Sequence, residues 1–383
     1  MYYLKSMLLA FCLGSGILPA LAQTPATTAQ TPATHTQTPA TPAQPGKTEN
    51  LLVIGWDGVR WEEIFTGVDS ALMTDPAFTK RQSAMRAQYW DDSVAQRRKK
   101  LFPFFWSTLS QQGQLYGNRT LGNKVDVANP YNLTGPGFTE TLVGFADPAV
   151  NSNSKILNKS TNVLEFMNNT KEYKGKVAVF AMSNLFDYIL NKQRSGLMIS
   201  CDTDQVDRPD KEFALLNEMQ RLGPKPFGER PDLLTYFQAK EYLKLYHPRV
   251  MYLEMGETDD YAHVGSYDFY VSTLHSQEEM IASLWDYIQS IPQYKDKTTL
   301  LIACDHGRGN KVKSQWTSHG PQIPDSKEIF VLAMGPDTPA LGEVGVEGQL
   351  YQGQIAATLA KFLGLNYVAE HLVLPPIETM FRK

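Results

Sequence analysis

Seven residues able to ligate a metal recur along the chain: Asp57, Thr134, Asp259 with His263, Asp305 with His306, and His319. Three of the seven histidines belong to this set. Carboxylates mixed with imidazoles suit a borderline-soft divalent ion such as Zn²⁺ better than Mg²⁺. A hydroxyl among such ligands is a candidate nucleophile, because a bound cation makes it easier to deprotonate. Asp259 and His263 are four residues apart, which on a helical turn puts both on one face. Asp305-His306-Gly307 closes the apolar run Thr298–Cys304, and ionisable groups so close to a core must be paired or metal-bound. The pattern predicts a bimetallic site with a hydroxyl between the ions. Thr134 lies in Asn132-Leu-Thr-Gly-Pro-Gly137, which reads as an open turn with an exposed hydroxyl.

The elements that must position these residues are short apolar runs. Leu51–Gly55, Val177–Met182, Arg249–Met255, Thr298–Cys304 and Ile329–Met334 read as buried strands. Asp268–Ile291 and Gly353–Phe362 read as helices, and residues 76–118 as mostly helical. Alternation of the two predicts an α/β fold with a mostly parallel sheet. Ligands of such sheets collect at the carboxyl ends of the strands. Asp57 and Asp305 each follow a strand directly, and Asp259 follows one within a few residues.

The rest of the chain bounds the setting. It has 383 residues, with 42 % hydrophobic and 20 % charged residues, ordinary for a soluble globular protein. The formal net charge is −4 and no long basic block occurs, so binding of a nucleic-acid duplex is not expected. Lys5, the apolar stretch Met7–Leu18 and Ala20-Leu-Ala22 read as a signal peptide over residues 1–22. That stretch is too short for a comfortable span, so no transmembrane segment is expected in the mature chain. Residues 23–48 repeat Gln-Thr-Pro-Ala-Thr at Gln23, Gln30 and Gln37 and read as a disordered linker. The catalytic domain is expected over residues 49–383, in a secreted or periplasmic protein. Beyond the leader two cysteines remain, Cys201 and Cys304, whose pairing sequence leaves open.

Taken together, these motifs resemble the alkaline phosphatase superfamily, most closely its nucleotide pyrophosphatase/phosphodiesterase-like branch. Val53-Ile-Gly-Trp-Asp57-Gly is similar to the opening strand and first metal Asp of that family. Thr134-Gly-Pro with Leu142-Val-Gly144 resembles its nucleophile turn, and Asp259-Asp-Tyr-Ala-His263 its Asp-x-x-x-His motif. Ala303-Cys-Asp305-His306-Gly307 and Thr317-Ser-His319-Gly320 are similar to its last two ligand segments. The resemblance covers nearly all of residues 49–383. It implies a three-layer α/β/α sandwich with a mostly parallel central sheet and a small cap. It also implies two Zn²⁺ per chain, one held by Asp57, Thr134, Asp305 and His306, the other by Asp259, His263 and His319. Thr134 would attack phosphorus and form a phosphothreonine intermediate. An Asn downstream of the nucleophile would contact the substrate, and Asn153 is favoured over Asn151.

Departures from the family pattern narrow the substrate, a small-molecule phosphate ester. Monoesterase relatives often place a Lys and an Arg after the strand matching Val177–Met182, where this chain reads Ser183-Asn-Leu-Phe-Asp187. Loss of those cations favours diesters, which carry one charge fewer. Arg308, Lys311 and Lys313 are the candidates to replace them. Thr134-Gly-Pro-Gly-Phe138 lacks the convertible Cys or Ser and the Arg of sulfatases. The alternatives are a phosphomonoesterase or phosphotransferase of the same superfamily, or a metal-retaining pseudoenzyme that binds a phosphorylated ligand.

Overall fold

The computed structural model describes residues 47–382. The expected signal peptide and nearly all of the expected linker lie outside them. Eleven strands run in chain order: β1 (Asn50–Trp56), β2 (Gly113–Tyr116), β3 (Asn123–Asp126), β4 (Val177–Ala181), β5 (Met198–Cys201), β6 (Val250–Met255), β7 (Thr298–Cys304), β8 (Glu328–Ile329), β9 (Val331–Met334), β10 (Gly342–Glu343) and β11 (Gly348–Tyr351). Eight of them form the main sheet in the order β10-β2-β9-β7-β1-β6-β4-β5. Its pairings are parallel except at β9, which runs antiparallel to both β2 and β7. A smaller sheet has the order β11-β3-β8.

Every residue of β1, β6 and β7 is buried, so both faces of the sheet centre are covered. This is the signature of a mostly parallel α/β sheet. Each expected strand is present. Ile329–Met334 is not one strand, however. It breaks at Phe330, so that Ile329 joins the small sheet and Val331 begins β9. The expected helical stretch 76–118 ends in β2. Gly113 there runs so close to β9 that a Cβ would lie 2.2 Å from the Ala333 carbonyl oxygen. Backbone approach, not local helical propensity, decides that segment. The Lys47 and Thr48 backbone N–H groups donate to the Asp337 carboxylate.

Register is what positions the site. Trp56 at the end of β1 pairs with Met255 of β6 and with Cys304 of β7. The three strands therefore stop level. Asp57, Gly256 and Asp305 are the next residues on neighbouring strands, and β4 delivers Met182 and Ser183 beside them. Cys201 and Cys304 are both buried free thiols.

Candidate active site

Asp57 follows β1 into a tight turn, where Gly58 has φ +64°. A Cβ on Gly58 would lie 2.2 Å from Asp259 Oδ1, so only glycine lets these two turns meet. The Thr258 hydroxyl donates to the Asp57 carbonyl, tying β1 to the helix Glu257–His263. The Gly58 and His306 backbone N–H groups both donate to Asp305 Oδ1. His306 Nδ1 is 3.1 Å from the Gly307 carbonyl, which leaves Nε2 facing inward. That nitrogen lies 3.4 Å from Asp57 Oδ1, 3.3 Å from Asp305 Oδ2 and 3.5 Å from Thr134 Oγ1.

Thr134 is not in an open turn. It is the first residue of the helix Thr134–Val143, which is buried along its whole length, and it is itself buried. Pro136 is tolerated because the first turn of a helix leaves its N–H groups without intrahelical partners. The Gly135 N–H donates to Asn153 Oδ1 at 2.7 Å, so of the two asparagines Asn153 is the one beside Thr134. Gly137 packs against the Asp305 backbone, closer than any Cβ would permit. Just before the helix, Asn132 adopts φ +48° and accepts from His319 Nδ1 at 2.8 Å. Asn132 is buried, so the Asn132-Leu-Thr134 sequon offers no access to a glycan.

The second group forms on the helix Glu257–His263. His263 Nε2 is 2.9 Å from Asp259 Oδ2 and 3.1 Å from His319 Nε2. The His306 and His319 rings stack at 3.7 Å, joining the two groups. Arg308 does not face the substrate side. Its buried guanidinium donates to Asp259 Oδ1 and to the Trp316 and Thr317 carbonyls, pinning the loop that carries His319. Lys311 and Lys313 also fail as replacement cations, since they pair with Asp325 and Asp75 at the surface. The expected stand-ins for the missing Lys and Arg are thus all engaged elsewhere.

The electrostatics follow from crowding. Burial, then Asp305 and Asp259, hold the Asp57 carboxyl well above the usual range. Burial, opposed by backbone hydrogen bonds, does the same for Asp305. Burial and neighbouring positive groups push the His306 and His319 imidazoles down, toward the neutral form that ligates metals. Asp259 differs. Burial would raise its carboxyl, but Arg308 and His263 outweigh that and hold it well below the ordinary value.

Asp57 Oδ1 and Asp305 Oδ2 are buried without a hydrogen-bond partner. Ligand atoms of Asp57, Asp305 and His306 lie within 4.8 Å of one another, as do those of Asp259, His306 and His319. Orphaned carboxylate oxygens facing neutral imidazoles fit divalent cations, since an uncompensated buried charge costs several kcal/mol. A third cluster, Asp187 with Cys201 and Asp204, is already bridged by the Lys192 ammonium at 2.9 and 2.6 Å from the two carboxylates.

A cavity of about 300 Å³ opens beside Asp57, Thr134 and Asp259. Asn153, Met182, Ser183 and Leu185 are among the residues that line it. Phe227, Glu229, Glu254 and Asp260 also line it, and no Lys or Arg is among the lining residues. Phe186, next to Leu185 in the chain, turns into the core against Phe138 and Tyr252. The acidic wall was not anticipated. Asp260 is partly buried and pushed up to about 8 by burial and then by Asp259. The readable signal was Glu254, the one charged residue inside the apolar run Val250–Met255.

No protein-family model and no curated protein sequence matches the chain. Solved structures do. The alkaline phosphatase PafA aligns with a TM-score of 0.57 at 10 % identity, over 89 % of this chain and 100 % of that one. The synthase LtaP from Listeria monocytogenes, named for lipoteichoic acid, aligns at 0.54 with 10 % identity, over 88 % and 76 %. The 2-O GAG sulfatase BT1596 aligns at 0.53 with 12 % identity, over 87 % and 74 %. The chain shares its fold with these three structures. These likenesses do not single out the nucleotide pyrophosphatase/phosphodiesterase-like branch.

Proposed function

We propose that this chain is an exported two-zinc phosphoric ester hydrolase that favours diesters and works through a phosphothreonine on Thr134. One Zn²⁺ would be held by Asp57, Thr134, Asp305 and His306, the other by Asp259, His263 and His319. When bound, the ions would supply Lewis acidity and charge neutralisation. The remaining work falls to the chain. Thr134 Oγ1 gives its proton to water and attacks phosphorus, while the bond to the leaving oxygen breaks and that oxygen takes a proton from water to depart as the alcohol. Water then cleaves the phosphothreonine and restores the hydroxyl. The Asn153 side-chain nitrogen is left to donate toward the phosphoryl oxygens, because Gly135 occupies its Oδ1. Burial of Thr134 in a helix N-terminus adds a favourable dipole for an anion.

The observation that carries the diester preference is the cavity wall. Where monoesterase relatives place cations, Ser183 stands under Glu254, whose Oε2 accepts from the Met182 and Ser183 N–H groups at 2.7 and 3.3 Å. Glu229 accepts from the Ser183 hydroxyl at 3.1 Å. Burial raises both carboxyls, and once ionised they oppose a dianionic monoester more than a monoanionic diester. Export rests on residues 1–22, and the catalytic unit would follow the linker at residues 23–48. Among the described residues no helix is long and apolar enough to cross a membrane. The test is kcat/KM of the zinc-loaded protein on p-nitrophenyl phosphate, bis-p-nitrophenyl phosphate and p-nitrophenyl sulfate. The diester should be turned over most efficiently. A preference for the monoester or the sulfate would overturn the reading.

A further inference from the structure

We propose that the acidic wall of the cavity is a subsite for a protonated amine, so that the preferred substrate is a phosphodiester with an aminoalkyl alcohol. This rests on the phosphoester reading above and names the substrate class within it. Glu254 is 0 % exposed, and its Oε2 is satisfied by two backbone N–H groups. Its Oε1 is buried with no hydrogen-bond partner. A Cβ on Gly256, which lines the cavity with Met182, would lie 3.0 Å from that oxygen and 3.0 Å from Met182 Sδ. Asp260 Oδ2 is a second buried oxygen without a partner, on the same wall. Neither belongs to the seven candidate metal ligands.

Two buried oxygens without partners are costly unless something supplies N–H or O–H groups. Glu229 adds a third carboxyl group, and no Lys or Arg lines the cavity; Lys155 and Arg230 act on Glu229 and Glu254 only from outside that lining. The wall therefore wants a positive donor from outside the chain. A divalent ion fits poorly. The sets of acidic, His and Cys residues whose ligand atoms lie within 4.8 Å of one another do not include Glu229, Glu254 and Asp260 together. An ammonium group tolerates that spread, because its three N–H bonds point in different directions. Phe227, held edge-on against Tyr261 at 4.9 Å, gives the same cavity an aromatic wall suited to an alkylammonium. Thr134 opens onto the same space, so one ester can reach the nucleophile with its phosphorus and the wall with its amine.

The test uses zinc-loaded Thr134→Ala protein and two probes with the same phosphate charge, methyl 2-aminoethyl phosphate and methyl propyl phosphate. Isothermal calorimetry should give at least tenfold tighter binding of the amine ester. The preference should fall to threefold or less in the double variant that adds Glu229→Gln, with melting curves checking that it folds. Equal or weaker binding of the amine ester, binding of neither ester, or a third tightly held metal ion per chain would each overturn the subsite. Should the double variant not fold, the affinity ratio in Thr134→Ala decides alone. Turnover of methyl p-nitrophenyl phosphate by wild type reads the underlying hydrolase separately. Turnover without amine preference sinks only the subsite, and amine preference without turnover sinks only the hydrolase.

Discussion

The two ligand groups are built differently. Asp57, Asp305 and His306 sit on the ends of adjacent strands, and Asp305 and His306 are 0 % exposed. Asp259, His263 and His319 come from a two-turn helix and a long loop, and the His263 side chain is 43 % exposed. The inner group is fixed by sheet register, since β1 and β7 stop level. The outer group depends on Arg308, which fastens the loop around Trp316 and Thr317 to Asp259. A strand end cannot move without breaking the ladder, whereas a loop can move at the cost of a few hydrogen bonds. An inner ion should accordingly exchange slowly and an outer ion quickly.

The largest effect tests whether both groups serve one reaction. Thr134→Ala should lower diester turnover by about 10⁴-fold or more. Elemental analysis should still find two zinc per chain, because three inner ligands remain. Turnover near that of the wild type would remove Thr134 as the nucleophile.

The next effect contrasts the groups by sign. Metal-free protein buries Asp57 and Asp305 against each other, so Asp57→Asn should raise its stability at pH 8 by about 1–3 kcal/mol. A carboxyl raised above its unfolded value destabilises the fold as pH climbs through the folded value, so this gain should vanish below about pH 4. With zinc present the same variant should be less stable than wild type. His263→Ala should show no such reversal. It should weaken one of the two ions by about 10–100-fold and leave the other unchanged. Thermal melts and zinc titrations of both variants check the pair. Parallel behaviour of the two would mean that register and loop hold their ions alike.

The same division explains what was legible in the sequence. The inner group follows apolar runs, and a strand's end can be read from where its apolar run stops. Asp57 and Asp305-His306 therefore fall where expected, level on neighbouring strands. The four-residue strands β2, β3 and β5 were hidden because their pairing comes from distant backbone, as at Gly113 against Ala333. Thr134 was misread as an exposed turn because Gly and Pro around it signal a loop locally, while burial under Asp305 makes a helix start. Arg308 looked available because nothing in Asp-His-Gly-Arg says that its guanidinium turns back to Asp259. The acidic wall gathers Glu229, Glu254 and Asp260 from three separate segments, and no local spacing encodes that meeting.

The smallest expected effect falls on Asn153, which belongs to neither ligand group. It is exposed, and its one hydrogen bond in the structure is the Gly135 N–H at 2.7 Å. Asn153→Ala frees that N–H to water at the cavity mouth, so stability should change by no more than about 0.5 kcal/mol. If the amide also donates to the phosphoryl oxygen, kcat/KM on the diester should fall about tenfold, roughly 1.4 kcal/mol of transition-state stabilisation. Zinc content should stay at the wild-type level, because the side chain touches neither group. A purely structural Asn153 would reverse the signature, with a lowered Tm and an unchanged kcat/KM. Asn151 supplies the control. It is exposed as well, and the cavity lining beside Thr134 includes Asn153 but not Asn151, so Asn151→Ala should leave both readouts where they were.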